Sequence, residues 1–203
     1  MIFLKFIAHR GITSESIKEN TIESIKQAID DNRFVGFEFD VRITKDNVFV
    51  LCHDPIYKGK LIKYTNYKEL KKYKIPRLID ILKLNTDKIF LIEIKDYDID
   101  LEKLTNMLNK YQNKKLYLMS FSKTFLHKIY KYKPKCKLGV LNYIFNSEDN
   151  YQEYDFICLI NGVATDKLIN YFKCRNIEIF IYGIIDKSKL INKNVYYIID
   201  EKY

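Results

Sequence analysis

The chain has 203 residues, 47% hydrophobic and 30% charged, with a formal net charge of +9. That is enough for one domain with a buried core, and it excludes a disordered chain. No uninterrupted run of about 18 apolar residues occurs, which excludes a transmembrane helix. The apolar start, Met1 to Ala8, is too short for a signal peptide and lacks a basic lead, so a cytoplasmic location is expected.

Short apolar runs rich in β-branched and aromatic residues recur along the chain. They are Ile2–Ala8, Phe34–Val41, Val48–Cys52, Ile89–Ile94, Leu116–Ser120, Leu138–Leu141, Phe156–Ile160, Ile177–Ile181 and Val195–Ile199. Nearly all are continuous, as strands covered on both faces should be. Between several of them lie helical patterns: Thr21–Asn32, with Asn20 as its expected N-cap, then Leu101–Lys110 and Lys123–Tyr132. Alternating strands and helices imply a parallel sheet. Val48–Cys52 follows Phe34–Val41 after only the turn Thr44-Lys45-Asp46-Asn47, with no room for a helix. It is expected to be an extra hairpin-like strand, and the other eight to close a compact (β/α)8 TIM barrel, an α/β fold. Such barrels usually run to about 250 residues, so loops and helices here must be short. The competing architecture is an open doubly wound sheet. A single domain over 1–203 is expected, with a short insertion at about 54–75.

The cysteines Cys52, Cys136, Cys158 and Cys174 form no C-x-x-C pair and are expected to be reduced, mostly buried thiols. The basic excess is spread along the chain, with local density from Lys58 to Arg77. No zinc-finger, helix-turn-helix or RNA-binding signature accompanies it, so a nucleic-acid partner is not expected; transient membrane contact is left open, as is the oligomeric state.

Two of the three histidines stand at strand ends, in His9-Arg10-Gly11 and His53-Asp54-Pro55. The third, His127, falls in a helical pattern and is expected on a helix surface. Strand ends line the active site of a barrel, and histidine exchanges protons near neutral pH. Glu38-Phe39-Asp40 lies in an apolar strand, where period two puts both acids on one face. Two such carboxylates repel, and a divalent cation between them removes that penalty. Glu93-Ile94-Lys95 places an acid and a base on one face of another strand end. Each motif alone also fits a solvated strand end, a surface turn or a structural ion pair.

Taken together, the motifs resemble those of the glycerophosphodiester phosphodiesterase family, among the phospholipase-C-like barrels. The matching residues are Ala8-His9-Arg10-Gly11, Glu19-Asn20-Thr21, Glu38-Phe39-Asp40-Val41, Thr44-Lys45-Asp46, His53-Asp54, Ile75-Pro76-Arg77-Leu78 and Glu93-Ile94-Lys95, with Ser120-Phe121 and Asp200 later. The resemblance implies metal-dependent hydrolysis of glycerophosphodiesters to sn-glycerol 3-phosphate and an alcohol. It implies His9 and His53 as acid and base, and Glu38, Asp40 and Glu93 as ligands of one divalent cation, magnesium or calcium. Arg10 is implied as the phosphate ligand, with Lys95 and Asn20 lining the pocket around a small-molecule phosphodiester. The chain departs from the family pattern at Lys18 (usually Pro), Asn47 (usually Gly), Tyr182-Gly183 (often Trp-Thr) and Ile199 (usually Thr), and in the short stretch Pro55–Leu70. That stretch leaves a lysophospholipase-D-type activity as the alternative, with Ile56, Tyr57, Leu61 and Ile62 as an apolar ramp or as packing. A binder that has lost its chemistry, and a basic nucleic-acid-binding module, are the readings from other classes.

Overall fold

The computed structural model describes residues 4–146, 150–191 and 193–201, with the side chain of Lys189 left out. The first strand, β1 (Lys5–Ala8), leads into helix α1 (Ile22–Asp30) and the long strand β2 (Phe34–Ile43). Next come β3 (Phe49–Leu51), the small hairpin β4 (Ile56–Tyr57) and β5 (Lys60–Leu61), and the short helices α2 (Tyr67–Lys71) and α3 (Leu78–Leu82). The remainder is β6 (Ile89–Ile94), α4 (Leu101–Asn109), β7 (Lys115–Ser120), α5 (Lys123–Tyr130), β8 (Lys137–Asn142), β9 (Phe156–Ile160), α6 (Asp166–Lys173), β10 (Glu178–Tyr182) and β11 (Tyr196–Ile199).

Eight parallel strands close a barrel in the order β1, β11, β10, β9, β8, β7, β6, β2, and β1 pairs with both β11 and β2. That closure overturns the open-sheet alternative. β3 lies outside the ring, antiparallel to β2 with Leu51 opposite Val41, as the hairpin-like strand was expected to be. Among the described residues two of the barrel's connections carry only a 3-10 turn and no α-helix, Tyr151–Glu153 between β8 and β9 and Lys187–Lys189 between β10 and β11. The expected first run began at Ile2; Ile2 and Phe3 lie outside the described residues, and β1 starts at Lys5. α6 escaped the sequence reading, although Leu168, Ile169 and Phe172 are its buried stripe.

Strand period two divides the side chains into two cores. Phe37, Phe39, Phe90, Ile92 and Leu118 face outward and pack under the helices. Ile7, Leu91, Met119, Cys158 and Ile198 face inward and fill the barrel. An aromatic trio, Tyr117, Phe156 and Phe180, plugs the interior edge to face at centroid separations of 5.1 to 5.5 Å. Gly139 makes room for it: a Cβ there would stand 2.4 Å from the Phe156 ring. All four cysteines are free, as reduced thiols were expected to be; Cys52 and Cys158 are buried, Cys136 is half-buried and Cys174 is exposed at the end of α6.

Gly139→Ala is therefore expected to destabilise the protein by about 1–3 kcal/mol through overpacking of the barrel interior. Urea unfolding of the two proteins measures this, and an unchanged midpoint would show that the aromatic plug has slack.

Candidate active site

β2 carries most of the site. Glu38, Asp40 and Arg42 share its inward face, while Phe37, Phe39 and Val41 go to the outer core. β6 stands beside it with Asp40 opposite Glu93. Each of Glu38, Asp40 and Glu93 offers an oxygen within 4.8 Å of the others, and all three are buried. Burial pushes the Glu38 carboxyl well above its usual range, and the neighbouring Asp40 charge pushes the same way. Burial likewise raises Glu93, against the pull of Lys95.

Three polar groups hold the cluster. Lys95 Nζ lies 3.1 Å from Asp40 Oδ1 and 2.6 Å from Glu93 Oε1. Arg10 Nε lies 3.2 Å from Asp40 Oδ2, Arg10 Nη1 pairs with Glu19, and the Arg10 backbone N–H donates to Glu38 Oε2 at 3.0 Å. Asn20 grips Asp40 from both sides: its Nδ2 donates to Asp40 Oδ2 at 2.8 Å, and its Oδ1 accepts the Asp40 backbone N–H at 3.0 Å. Asn20 thus cannot be the N-cap expected of it. Its backbone is left-handed, with φ 55°, and its side chain is spent on Asp40. Thr21 caps α1 instead, accepting from the Ser24 backbone in a reciprocal capping box.

The turn after β1 is strained in order to make these contacts. Arg10 is also left-handed, with φ 54°, a conformation uncommon for a residue with a Cβ. It is held there because its carbonyl accepts from the Ser24 hydroxyl and the Asn20 backbone N–H. Gly11 follows at φ 80°, where a Cβ would collide with the Ser24 backbone at 2.6 Å.

The two histidines reach the carboxylates from different directions. His9 ends β1; its Nδ1 pairs with Asp200 Oδ1 at 2.7 Å, and its Nε2 is 3.8 Å from Glu38 Oε2. Burial works to lower its pKa, but the Asp200 hydrogen bond and the Glu38 charge outweigh it and hold the ring above its ordinary value. His53 arrives from outside the barrel at the end of β3. The Cys52 N–H donates to the Asp40 carbonyl, which brings His53 back towards β2. His53 Nδ1 pairs with Asp54 Oδ1 at 2.9 Å. Each ring thus has a carboxylate on Nδ1, leaving Nε2, which on His9 faces Glu38, as the working nitrogen. A cleft of about 290 Å³ runs beside His53, lined among others by Lys18, Asn20, Asp54, Tyr57 and Pro76.

All eight residues singled out from the sequence therefore come together at the carboxyl end of the barrel strands. His127 sits exposed on α5, as expected. One contributor was missed. Arg42 Nε donates to the His53 carbonyl at 2.8 Å, and Arg42 Nη1 pairs with Asp96 Oδ1 at 2.7 Å, clamping the segment that carries His53. Its signal was in the sequence: Arg42 continues the same-face series Glu38, Asp40. The ramp residues divide. Ile62 packs with Val50, Leu70 and Ile75, and Tyr57 packs against them partly buried, whereas Ile56 and Leu61 are exposed.

The donor set fits a hard divalent cation. Three carboxylates converge, and Glu38 Oε1 is buried without a hydrogen-bond partner among the described residues. An orphaned carboxylate oxygen in an apolar barrel is costly unless a cation or a polar ligand meets it.

The family model of the glycerophosphoryl diester phosphodiesterase family matches residues 9–189. A curated glycerophosphodiester phosphodiesterase of Caldanaerobacter subterraneus subsp. tengcongensis is 32% identical over 160 residues. The match covers 66% of this chain, and the chain spans 65% of the length of that relative. A glycerophosphodiester phosphodiesterase of Thermotoga maritima superposes with a TM-score of 0.77 at 25% identity, covering 97% of this chain and 94% of that one. A phosphodiesterase of Oleispira antarctica, solved in complex with the product sn-glycerol-3-phosphate, gives a TM-score of 0.77 at 19% identity, covering 98% and 93%. At that identity the likeness is one of fold.

Two outcomes follow from the electrostatics. Glu38 and Glu93 have raised folded pKa values, so the native state holds their protons more tightly than the unfolded chain does. In chelator, melting temperature should therefore fall as pH rises from mildly acidic to mildly alkaline. Saturating magnesium or calcium should recover it, and Glu38→Gln should flatten the slope. A flat profile in the wild type would overturn the burial argument. Asn20→Ala leaves the Asp40 backbone N–H without a buried partner and is expected to cost about 1–3 kcal/mol in urea unfolding.

Proposed function

The chain belongs to the glycerophosphoryl diester phosphodiesterase family, and we propose that it hydrolyses glycerophosphodiesters to sn-glycerol 3-phosphate and an alcohol by metal-assisted acid–base catalysis. The observation that carries this reading is the meeting of three buried carboxylates with two carboxylate-partnered histidines at one barrel mouth. Glu38, Asp40 and Glu93 would hold one divalent cation, magnesium or calcium. When bound, it supplies a Lewis acid that withdraws charge from the phosphoryl oxygens.

The chain's own groups do the rest. Arg10 presents a planar guanidinium to the phosphate from a fixed, left-handed backbone. Lys95 sets a second positive charge beside the cluster, and Asn20 fixes the rotamer of Asp40. One histidine takes the proton of the attacking glycerol hydroxyl while the other gives a proton to the departing alkoxide, which leaves as the alcohol; with the roles reversed, the pair then deprotonates a water that opens the cyclic phosphodiester to sn-glycerol 3-phosphate. His9, held above its ordinary pKa, suits the donor role, which leaves His53 as the base. Asp200 and Asp54 orient the rings through Nδ1, and Arg42 fixes the backbone behind His53.

A second reading is supported by one observation, the exposure of Ile56 and Leu61 on the hairpin just after His53. Apolar side chains at the mouth suit a lysophospholipid, so a lysophospholipase-D-type cleavage is the alternative substrate class for the same chemistry.

Release of sn-glycerol 3-phosphate from glycerophosphocholine tests the proposal. His9→Ala and His53→Ala should each lower kcat about 10²–10⁴-fold with folding intact. Prolonged chelation should abolish turnover, and magnesium or calcium should restore it. Activity that survives chelation would sink the metal assignment, and near-normal turnover in either variant would sink the acid–base pair.

A further inference from the structure

The face that carries the site also carries the exposed aliphatic side chains, and the densest positive charge lies beside them. The barrel strands run in one direction, so the residues just after β8 and β10 lie on the same side as His9, Asp40 and Lys95; the β4–β5 hairpin, which follows the antiparallel β3, is placed there by the cleft it shares with Lys18, Asn20 and His53. On that side, Ile56 and Leu61 are 53% and 48% exposed on the β4–β5 hairpin, and Ile144 and Ile185, after β8 and β10, are 78% and 98% exposed. Ile56 and Leu61 are directly paired across the hairpin, so both project from one of its faces. The hairpin is rigid: its two turn residues, Lys58 and Gly59, both take positive φ, the geometry that matches strand twist. Across the mouth, Tyr143, itself exposed, stacks on Phe121 at 4.6 Å next to Ile144.

The charge is equally localised. Residues 55–74 contain seven lysines (58, 60, 63, 68, 71, 72 and 74) and one acid, Glu69, a net of +6 out of the chain's +9. Only Lys60 and Lys63 have ion-pair partners among the described residues, Glu69 and Asp98. The others are exposed, Lys72 with its ammonium 5.0 Å above the Tyr73 ring. This segment is braced against the barrel: Ile62 and Leu70 are buried, and Asp46 accepts the Tyr67 backbone N–H at the tip of the β2–β3 arm. A fixed platform of solvent-facing lysines around exposed isoleucine and leucine has little use in water. It matches an anionic bilayer surface, where lysines meet phosphate headgroups and the aliphatic side chains enter the interfacial layer.

We infer that the barrel mouth docks on anionic phospholipid membranes, through residues 55–74 on one side and Ile144 and Ile185 on the other. The docked orientation turns the site towards the lipid surface, so that diesters and lysophospholipids leaving the bilayer meet it without crossing bulk water. A single-stranded nucleic acid is the competing anionic partner, and it fits less well. Of the exposed large apolar side chains on the lysine-rich segment, two are aliphatic and only Tyr64 offers a stacking ring.

The test is co-sedimentation of the whole protein with vesicles of phosphatidylcholine, with and without phosphatidylglycerol, at low and high salt. Wild type should partition to the anionic vesicles and be released by salt. Ile144→Asp with Ile185→Asp, and separately Lys68→Glu with Lys72→Glu, should each lower partitioning about tenfold or more. None of these four side chains touches the carboxylate cluster, so both variants should keep wild-type turnover of water-soluble glycerophosphocholine, which also reports their folding. Vesicle binding is read without turnover, so loss of the enzymatic reading would leave this one standing, and the reverse. No association with anionic vesicles at low salt would overturn the inference. So would undiminished binding by the Ile144 and Ile185 variant, or tighter binding to single-stranded RNA than to vesicles.

Discussion

Three carboxylates inside an apolar barrel are the constraint from which the rest of the site follows. Left alone, Glu38, Asp40 and Glu93 would repel one another and hold their protons, because burial disfavours the charged form. The chain answers with Lys95, Arg10 and the two-sided grip of Asn20. These groups reduce the repulsion without removing it. Counting formal charges, three acids face two bases, and one Glu38 oxygen keeps no partner. The residual negative potential is what fits the cluster to a hard cation. A fully neutralised cluster would be more stable and would have no reason to take one up.

That electrostatic need explains an otherwise costly piece of backbone. Arg10 and Asn20 both sit in the left-handed region, at two ends of one loop, and each is fixed by a hydrogen bond to the other or to Ser24. The loop places a guanidinium, an amide and a backbone N–H around two carboxylates within a few residues of His9. Strain at this loop is offset by the contacts it makes in the barrel, so relief of either would release both. β2 works to the same end on the other side. By running past the rim of the barrel to Ile43, it makes the antiparallel pairing with β3 that brings His53 in from outside.

How much of this was legible in the sequence divides along physical lines. Continuous apolar runs marked the eight barrel strands, since a strand buried on both faces has no polar alternation. The absence of helix-length chain before Val48 marked β3 as the odd strand. Period two put Glu38 with Asp40, and the chemistry of strand ends put His9, His53 and Glu93 near them. The N-cap was misread because Asn20 and Thr21 are both good capping residues. The choice between them was made by Asp40, 20 residues away, which claimed the Asn20 side chain. Arg42 was passed over because a strand-end arginine usually faces water, although its even spacing from Asp40 put it on the inner face. The exposure of Ile56 and Leu61 beside the burial of Ile62 could not be read from an apolar cluster alone. It depends on a tight turn at Lys58-Gly59 that decides which hairpin face is covered.

The economy of the connections bears on that last point. Among the described residues two of them carry only 3-10 turns, and the stretch after His53 is a two-strand ribbon and a five-residue helix. A ribbon so small has only one face to bury. It spends that face, through Ile62 and Tyr57, on anchoring itself to Val50, Leu70 and Ile75. The opposite face is free to carry side chains selected for what approaches the site. Its aliphatic pair is half exposed, and most lysines of the segment that follows have no ion-pair partner among the described residues. A surface without a folding role, built rigidly beside buried chemistry, is best explained by what docks there.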